Sequence, residues 1–147
     1  MRVLIDADGC PVVRETVRQC AAFHVPCLLF CDTAHVFSVP GVQVLVADRG
    51  HDSTDYLLLS HLHPGDVVIT QDYGLAALCL ARGAQALHQD GYAYTADNID
   101  SLLTVRAESA RLRRGGVRLH GSSARKPAQD RAFSDLLCRI LSENTGA

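Results

Sequence analysis

Val3-Leu4-Ile5-Asp6-Ala7-Asp8-Gly9-Cys10-Pro11-Val12-Val13 is the stretch that decides the fold of this 147-residue chain. A short apolar run ends in two carboxylates two positions apart, followed by a glycine and a proline placed to start a helix. From Pro11 the apolar positions Val13, Val17, Cys20 and Ala21 keep helical spacing to about Phe23. This strand, acidic turn and helix then recur. Residues 26–31 form a second buried strand ending at Asp32, and 42–46 alternate weakly as a third. Gly50-His51-Asp52-Ser53-Thr54-Asp55 is a polar loop that opens a helix over 56–63, stopped by Pro64-Gly65. Val67-Val68-Ile69-Thr70 is another strand, ending at Asp72, and a helix over 75–82 has Gly83 as its stop.

Further along, Gln89-Asp90-Gly91 carries a D-G turn signal between Ala86-Leu87 and Tyr92-Ala93-Tyr94. Asn98 is expected to cap a helix running to about Leu112, and 120–129 read as a linker. A final amphipathic helix carries Phe133, Leu136, Leu137, Ile140 and Leu141 on one face. Strands alternating with helices predict an α/β fold, a three-layer sandwich around a mostly parallel central sheet. The length fits a single domain over 1–147, with a basic C-terminal segment from about 106.

Composition narrows the function classes. Hydrophobic residues make up 48% and charged residues 20%, which excludes a disordered chain. No apolar run approaches the roughly 20 residues of a membrane span, and the first residues lack a signal-peptide pattern. A soluble, cytoplasmic domain is therefore expected, with no membrane partner and with self-association left open. The six cysteines show no C-x-x-C pair and no zinc spacing, so buried free thiols are expected. Cys10, near a helix start, is the one thiol whose pKa can fall there, although packing explains it more simply. Eight aromatics and no Trp argue against the stacking platform that single-strand binders use.

The net charge of −2 hides an asymmetry: residues 1–100 carry −7, whereas 101–147 carry +5. Of 16 acids 13 are Asp, and of 14 bases 13 are Arg, which suits metal coordination at one end and phosphate contacts at the other. Asp6, Asp8, Asp32 and Asp72 all fall at or just past strand ends, and in a parallel sheet those ends share the edge where sites are built. Asp52 and Asp55 make a capping-box-like helix start, which by itself needs no ligand, and Asp72 equally suits a cap. Their convergence is what favours a metal. Two carboxylates about 5 Å apart repel by roughly 3 kcal/mol at an effective dielectric of about 20. A divalent cation relieves that repulsion, and oxygen-only ligands select Mg²⁺ or Mn²⁺.

Asp6-Ala7-Asp8-Gly9-Cys10-Pro11-Val12, Gly50-x-Asp52-x-x-Asp55 and Gly65-Asp66-x-Val68-Ile69-Thr70-x-Asp72 resemble the bacterial YaiI/YqxD family. So do Gly83-Ala84-x-Ala86-Leu87, Gly91-x-x-Tyr94, Asn98-Ile99 and Asp130-Arg131-x-x-Phe133. The resemblance runs from Met1 to about Leu141. It implies a PIN-like domain, the fold of metal-dependent nucleases, and Thr70-x-Asp72-x-x-Leu75-Ala76 with Ala81 and Gly83 looks like the PIN signature. By that resemblance Asp6 is the first-strand acid, Asp52 and Asp55 are the helix-start acids, Asp72 is the late-strand acid, and Asp8 is their partner. Gly9, Tyr73-Gly74 and Asp32 depart from the family pattern without removing a proposed ligand.

The expected function is hydrolysis of phosphodiesters in nucleic acid, RNA rather than DNA. Mg²⁺ or Mn²⁺ is expected on Asp6, Asp8, Asp52, Asp55 and Asp72, with Asp6, Asp8 and Asp72 catalytic. Arg106, Arg111, Arg113, Arg114, Arg118, Arg125 and Lys126 are expected to hold the phosphate backbone, although charge runs also occur as plain solvated surface. One alternative is a phosphatase of the haloacid-dehalogenase type, since Leu4-Ile5-Asp6-Ala7-Asp8-Gly9 resembles its D-x-D-G opening, with Asp6 as nucleophile. Against it, Lys126 is the only lysine, and Gly65-Asp66 precedes a strand rather than following one. A nucleic-acid-binding module without turnover is the non-enzymatic alternative.

Overall fold

The computed structural model describes residues 1–32, 39–48, 53–116 and 124–145. The elements run β1 (Val3–Asp6), α1 (Val13–Ala22), β2 (Cys27–Cys31), β3 (Gln43–Val46) and α2 (Ser53–His61). β4 (Val67–Ile69), α3 (Tyr73–Ala81), β5 (Gln85–His88), β6 (Tyr92–Ala93), α4 (Ala96–Arg114) and α5 (Pro127–Thr145) complete the order. One sheet has the strand order β3-β2-β1-β4-β5-β6, parallel from β3 through β5, with β6 antiparallel at the edge.

Alternation along the strands sends side chains to two different helix layers. Val3, Ile5, Leu29, Val67, Ile69 and Leu87 pack with Val13 and Cys20 of α1 and Phe133, Leu137 and Leu141 of α5. Leu4, Leu28, Phe30, Val68 and Ala86 meet Leu58 of α2, Leu75 and Cys79 of α3 and Ile99 of α4. Both faces of the sheet are thus covered, as a parallel sheet requires, and the three-layer α/β sandwich is present.

The strand order also fixes where a site can form. The chain leaves β1 toward β2 and β3 on one side, then returns to place β4 on the other. The order reverses between β1 and β4, and in such sheets the crevice beyond the carboxyl ends at the reversal is the usual binding position.

Local chemistry moves several boundaries. α2 stops at His61 rather than at 63, because Pro64 disfavours helical backbone at the residue before it. α3 begins at Tyr73 rather than 75, with Asp72 as its N-cap. The cap of α4 is Thr95, not Asn98: the Thr95 hydroxyl accepts from the Asn98 N–H and the Asn98 side chain accepts from the Thr95 N–H. The expected linker is shorter, since Pro127 opens α5 and the Lys126 N–H donates to Gln129 Oε1 at 2.7 Å. Residues 120–123 of that linker lie outside the described residues.

Two further contacts pin the sheet. Gly91 has φ +96, and a Cβ there would come within 2.5 Å of Ala132, so only glycine lets the β5–β6 turn lie against α5. At the opposite edge the buried Asp66 accepts from the Arg2 side chain at 2.7 Å and from the His63 N–H at 2.8 Å. Burial works to raise this carboxyl, but Arg2 and the N–H donors outweigh it and hold the pKa below the usual range. Asp66 is a structural residue.

Cys20, Cys31 and Cys79 are buried, as expected, whereas Cys138 is exposed. Cys10 does not fit the low-pKa alternative. It lies three residues ahead of α1, and burial pushes its thiol up to about 11.

Candidate active site

The carboxyl ends of β1 and β4 are joined by one hydroxyl. Thr70, buried just beyond β4, donates from Oγ1 to Asp6 Oδ2 at 2.8 Å and accepts at the same oxygen from the Asp72 N–H at 3.0 Å. The Thr70 carbonyl accepts from the buried Tyr94 hydroxyl at 3.0 Å. A β-branched residue suits the strand end, and its hydroxyl finds the partners that burial demands.

Asp6 is half-buried, and its carboxyl is pushed up to about 6. Burial is the largest cause. The Thr70 hydrogen bond works the other way, and the carboxylates of Asp55, Asp72 and Asp8 each raise it further. Three of the other expected acids therefore act on Asp6.

The others are held differently. Asp72 is exposed, and its Oδ1 accepts from the Gly74 N–H at 2.8 Å and the Leu75 N–H at 3.2 Å, capping α3. The cap uses one oxygen, so the cap and a ligand role are compatible in the same side chain. Asp8 Oδ2 accepts from the Asp32 N–H at 2.8 Å, which ties the turn after β1 to the end of β2. Burial raises the Asp8 carboxyl, the Asp32 N–H lowers it, and the Asp32 carboxylate raises it again. Asp55 lies in the first turn of α2. Asp52 lies outside the described residues, so the capping and ligand readings of that position meet no geometry.

Asp55 and Asp72 line the same cleft between α2 and α3, together with Tyr56, Leu59, Gly74, Leu75 and Leu78. Its volume is about 470 Å³.

Among the described residues, no three His, Cys, Asp or Glu side chains are gathered closely enough to share one ion directly. This bears on the kind of cation the edge can hold. Mg²⁺ gives up its water reluctantly and is commonly bound through one or two carboxylates, with waters filling its other positions. Oxygen-only donors suit that mode, and they suit zinc, with its four direct ligands, poorly.

The expected phosphate-binding residues are held in different ways. Arg106 lies over the ring of Tyr73, 5.6 Å from its centre. Arg111 is paired with Glu108, and Arg113 and Arg114 are exposed in the last turn of α4. At 1.5 Å per residue they lie about 8 to 12 Å beyond Arg106 along the helix axis. Arg125 is committed elsewhere: it donates to Asp130 at 2.7 Å, to Asp90 at 2.9 Å and to the Gln89 carbonyl at 2.7 Å. It clamps the β5–β6 turn onto the start of α5. Lys126 is exposed next to it, and Arg118 lies outside the described residues.

Two members of this edge carry no acid and were not expected as site residues, Thr70 and Tyr94. Both stand in motifs, Thr70-x-Asp72 and Gly91-x-x-Tyr94, so a signal existed. What the hydroxyls touch depends on strand pairing.

Residues 4–143 match the family described as "Uncharacterized BCR, YaiI/YqxD family". A UPF0178 protein of Exiguobacterium sibiricum is 44% identical over 145 residues, covering 99% of each chain. One from Clostridium acetobutylicum is 40% identical over 143 residues, 96% of this chain and 97% of that protein. One from Alkaliphilus oremlandii is 37% identical over 144 residues, 98% of this chain and 93% of that protein. No solved structure matches the chain.

Proposed function

This chain belongs to the YaiI/YqxD family, and from that premise we propose that it is a divalent-metal-dependent phosphodiesterase acting on nucleic acid, RNA rather than DNA. One observation carries the reading. Asp6, at the strand-order reversal, has its pKa raised to about 6 by burial and by three neighbouring carboxylates. A fold that keeps four acids in one field bears a repulsive cost that a bound cation removes.

Asp6, Asp55, Asp72 and Asp8 are the described residues that would hold Mg²⁺ or Mn²⁺, with Asp52 beside them in sequence. When bound, the ion supplies charge stabilisation at the phosphoryl oxygens and makes water a competent nucleophile near neutral pH. The chain's own groups do the positioning. Thr70 fixes Asp6 through Oδ2. Asp72 is held by the first turn of α3, and Asp8 by the end of β2. Arg106, which lies over the ring of Tyr73, is the arginine placed to bind a phosphate oxygen of the same strand. The expected compartment is the cytoplasm. Among the described residues no helix is long and apolar enough to cross a membrane.

The deciding experiment is hydrolysis of a labelled RNA oligonucleotide with Mg²⁺, with Mn²⁺ and with chelator, using the wild type and Asp6→Asn. Cleavage that needs the metal and is lost in the variant supports the reading. RNA binding that persists in chelator with no cleavage under any condition would replace it with the non-catalytic module.

A further inference from the structure

Tyr56 is 74% exposed and Leu78 51% exposed, although both line the cleft that Asp55 and Asp72 border. Between them the buried Leu59 and Leu75 make an apolar floor, and Gly74 contributes no side chain to the wall. Tyr56 also lines a second cleft, with Val46, Ala47, Asp48, Ser53, Leu57 and Ser60. Tyr56 thus lines both clefts.

We propose that the cleft between α2 and α3 is a nucleobase subsite, in which a base stacks on Tyr56 and packs against Leu78. The proposal rests on the phosphodiester reading above, and the chemistry of the lining selects the occupant. Among the described residues no Arg, Lys or His lines the cleft, and its two charged members are carboxylates at the acidic edge. A phosphate therefore stays at that edge, and the group that enters is uncharged and largely apolar. The group joined to a nucleic-acid phosphate that fits this description is the base with its sugar. A volume of about 470 Å³ falls in the usual range for small-molecule sites. An exposed aromatic face is what a base of any identity can stack on. Eight aromatics in the chain are too few for an extended platform, but one ring suffices for one base.

The test uses uncharged nucleosides, so that binding does not depend on metal or phosphate. Adenosine and uridine are added to the full chain in chelator, and saturation-transfer NMR reads which ligand protons lie against the protein. The expected result is transfer to base protons, with affinity falling about fivefold or more in Tyr56→Ala and in Leu78→Asp. Tyr56→Phe keeps the ring and is expected to bind as the wild type does. Both positions are exposed, and unchanged melting temperatures would confirm that the variants fold.

Equal affinity in Tyr56→Ala overturns the subsite. So does transfer confined to ribose protons, or self-association that requires Tyr56 and excludes nucleosides, since a second copy would then cover the cleft. Failure of the hydrolysis reading is distinct. If nucleosides bind through Tyr56 while metal-loaded protein cleaves no RNA, the subsite stands and the phosphodiesterase reading falls. If RNA is cleaved with one common KM in wild type and Tyr56→Ala, the reverse holds.

Discussion

Thr70 Oγ1 donates to Asp6 Oδ2 at 2.8 Å, so the end of β4 holds the end of β1 at the point where the strand order reverses. The bond crosses 64 residues of sequence. It works to lower the pKa of a carboxyl that burial and three neighbouring acids work to raise.

Replacing Asp6 by Asn is expected to stabilise the metal-free protein at pH 7. The carboxyl is raised from 3.8 to about 6 in the folded chain, so the folded state binds its proton more tightly than the unfolded state does. Stability is therefore lost as pH rises from about 4 to 6, and the full cost is present above that window. By linkage the gain is at most about 3 kcal/mol. Thermal melts from pH 4 to pH 8 check it: the wild type should lose ground to Asp6→Asn as pH rises, and Mg²⁺ should raise only the wild-type melting temperature.

Thr70→Val keeps the shape and removes the hydroxyl. The Asp6 carboxyl should then titrate higher still, because its one favourable hydrogen bond is gone. The Asp72 N–H loses its acceptor as well. A cost of about 1–3 kcal/mol follows for groups left unsatisfied, whereas Thr70→Ser should recover most of it. Denaturant melts and a carboxyl NMR titration of Asp6 read the two effects separately.

Asp72 lets cap and ligand be told apart. Asn caps helices about as well as Asp, whereas Ala costs roughly 1 kcal/mol. Asp72→Asn should therefore keep the melting temperature and lose divalent-cation affinity, and Asp72→Ala should lose both. Unchanged calorimetric binding of Mg²⁺ in Asp72→Asn would leave this residue as a cap alone.

The basic residues are expected to divide into two kinds. Replacing Arg113 and Arg114 by Ala should make the dependence of log K on log salt for RNA shallower by up to about 1.4 to 1.8, if both touch phosphate. Arg125→Ala should leave that slope unchanged and lower the melting temperature, because it breaks the ion pairs with Asp90 and Asp130. One salt slope shared by wild type and the double variant would make the end of α4 plain solvated surface.

Much of this architecture is legible from residue order. Short apolar runs that end in Asp, each followed by helical spacing, are local signals, and they led to an α/β sandwich with acids at strand ends. The errors at Asn98 and Pro127 are local too: Thr95 and Asn98 share one capping box, and a prolyl start hides within a polar stretch. Arg125 is a different case. Its partner Asp90 lies 35 residues away, on a turn that approaches α5 only because Gly91 has no Cβ.

By itself the sequence determined the alternation of strands and helices, the polarity of each face, and the residue types at each strand end. Those follow from the periods of strand and helix and from the backbone preferences of Pro, Gly and Asp, all of which act over a few residues. Only the tertiary structure decided that β4 returns beside β1, so that Thr70 meets Asp6 and Asp55 and Asp72 share a cleft, and that Arg125 pairs with Asp90 and Asp130 while Arg106 packs on Tyr73. Strand order is chosen by how both faces of the sheet are buried at once. That choice depends on contacts between distant segments, which no local pattern encodes.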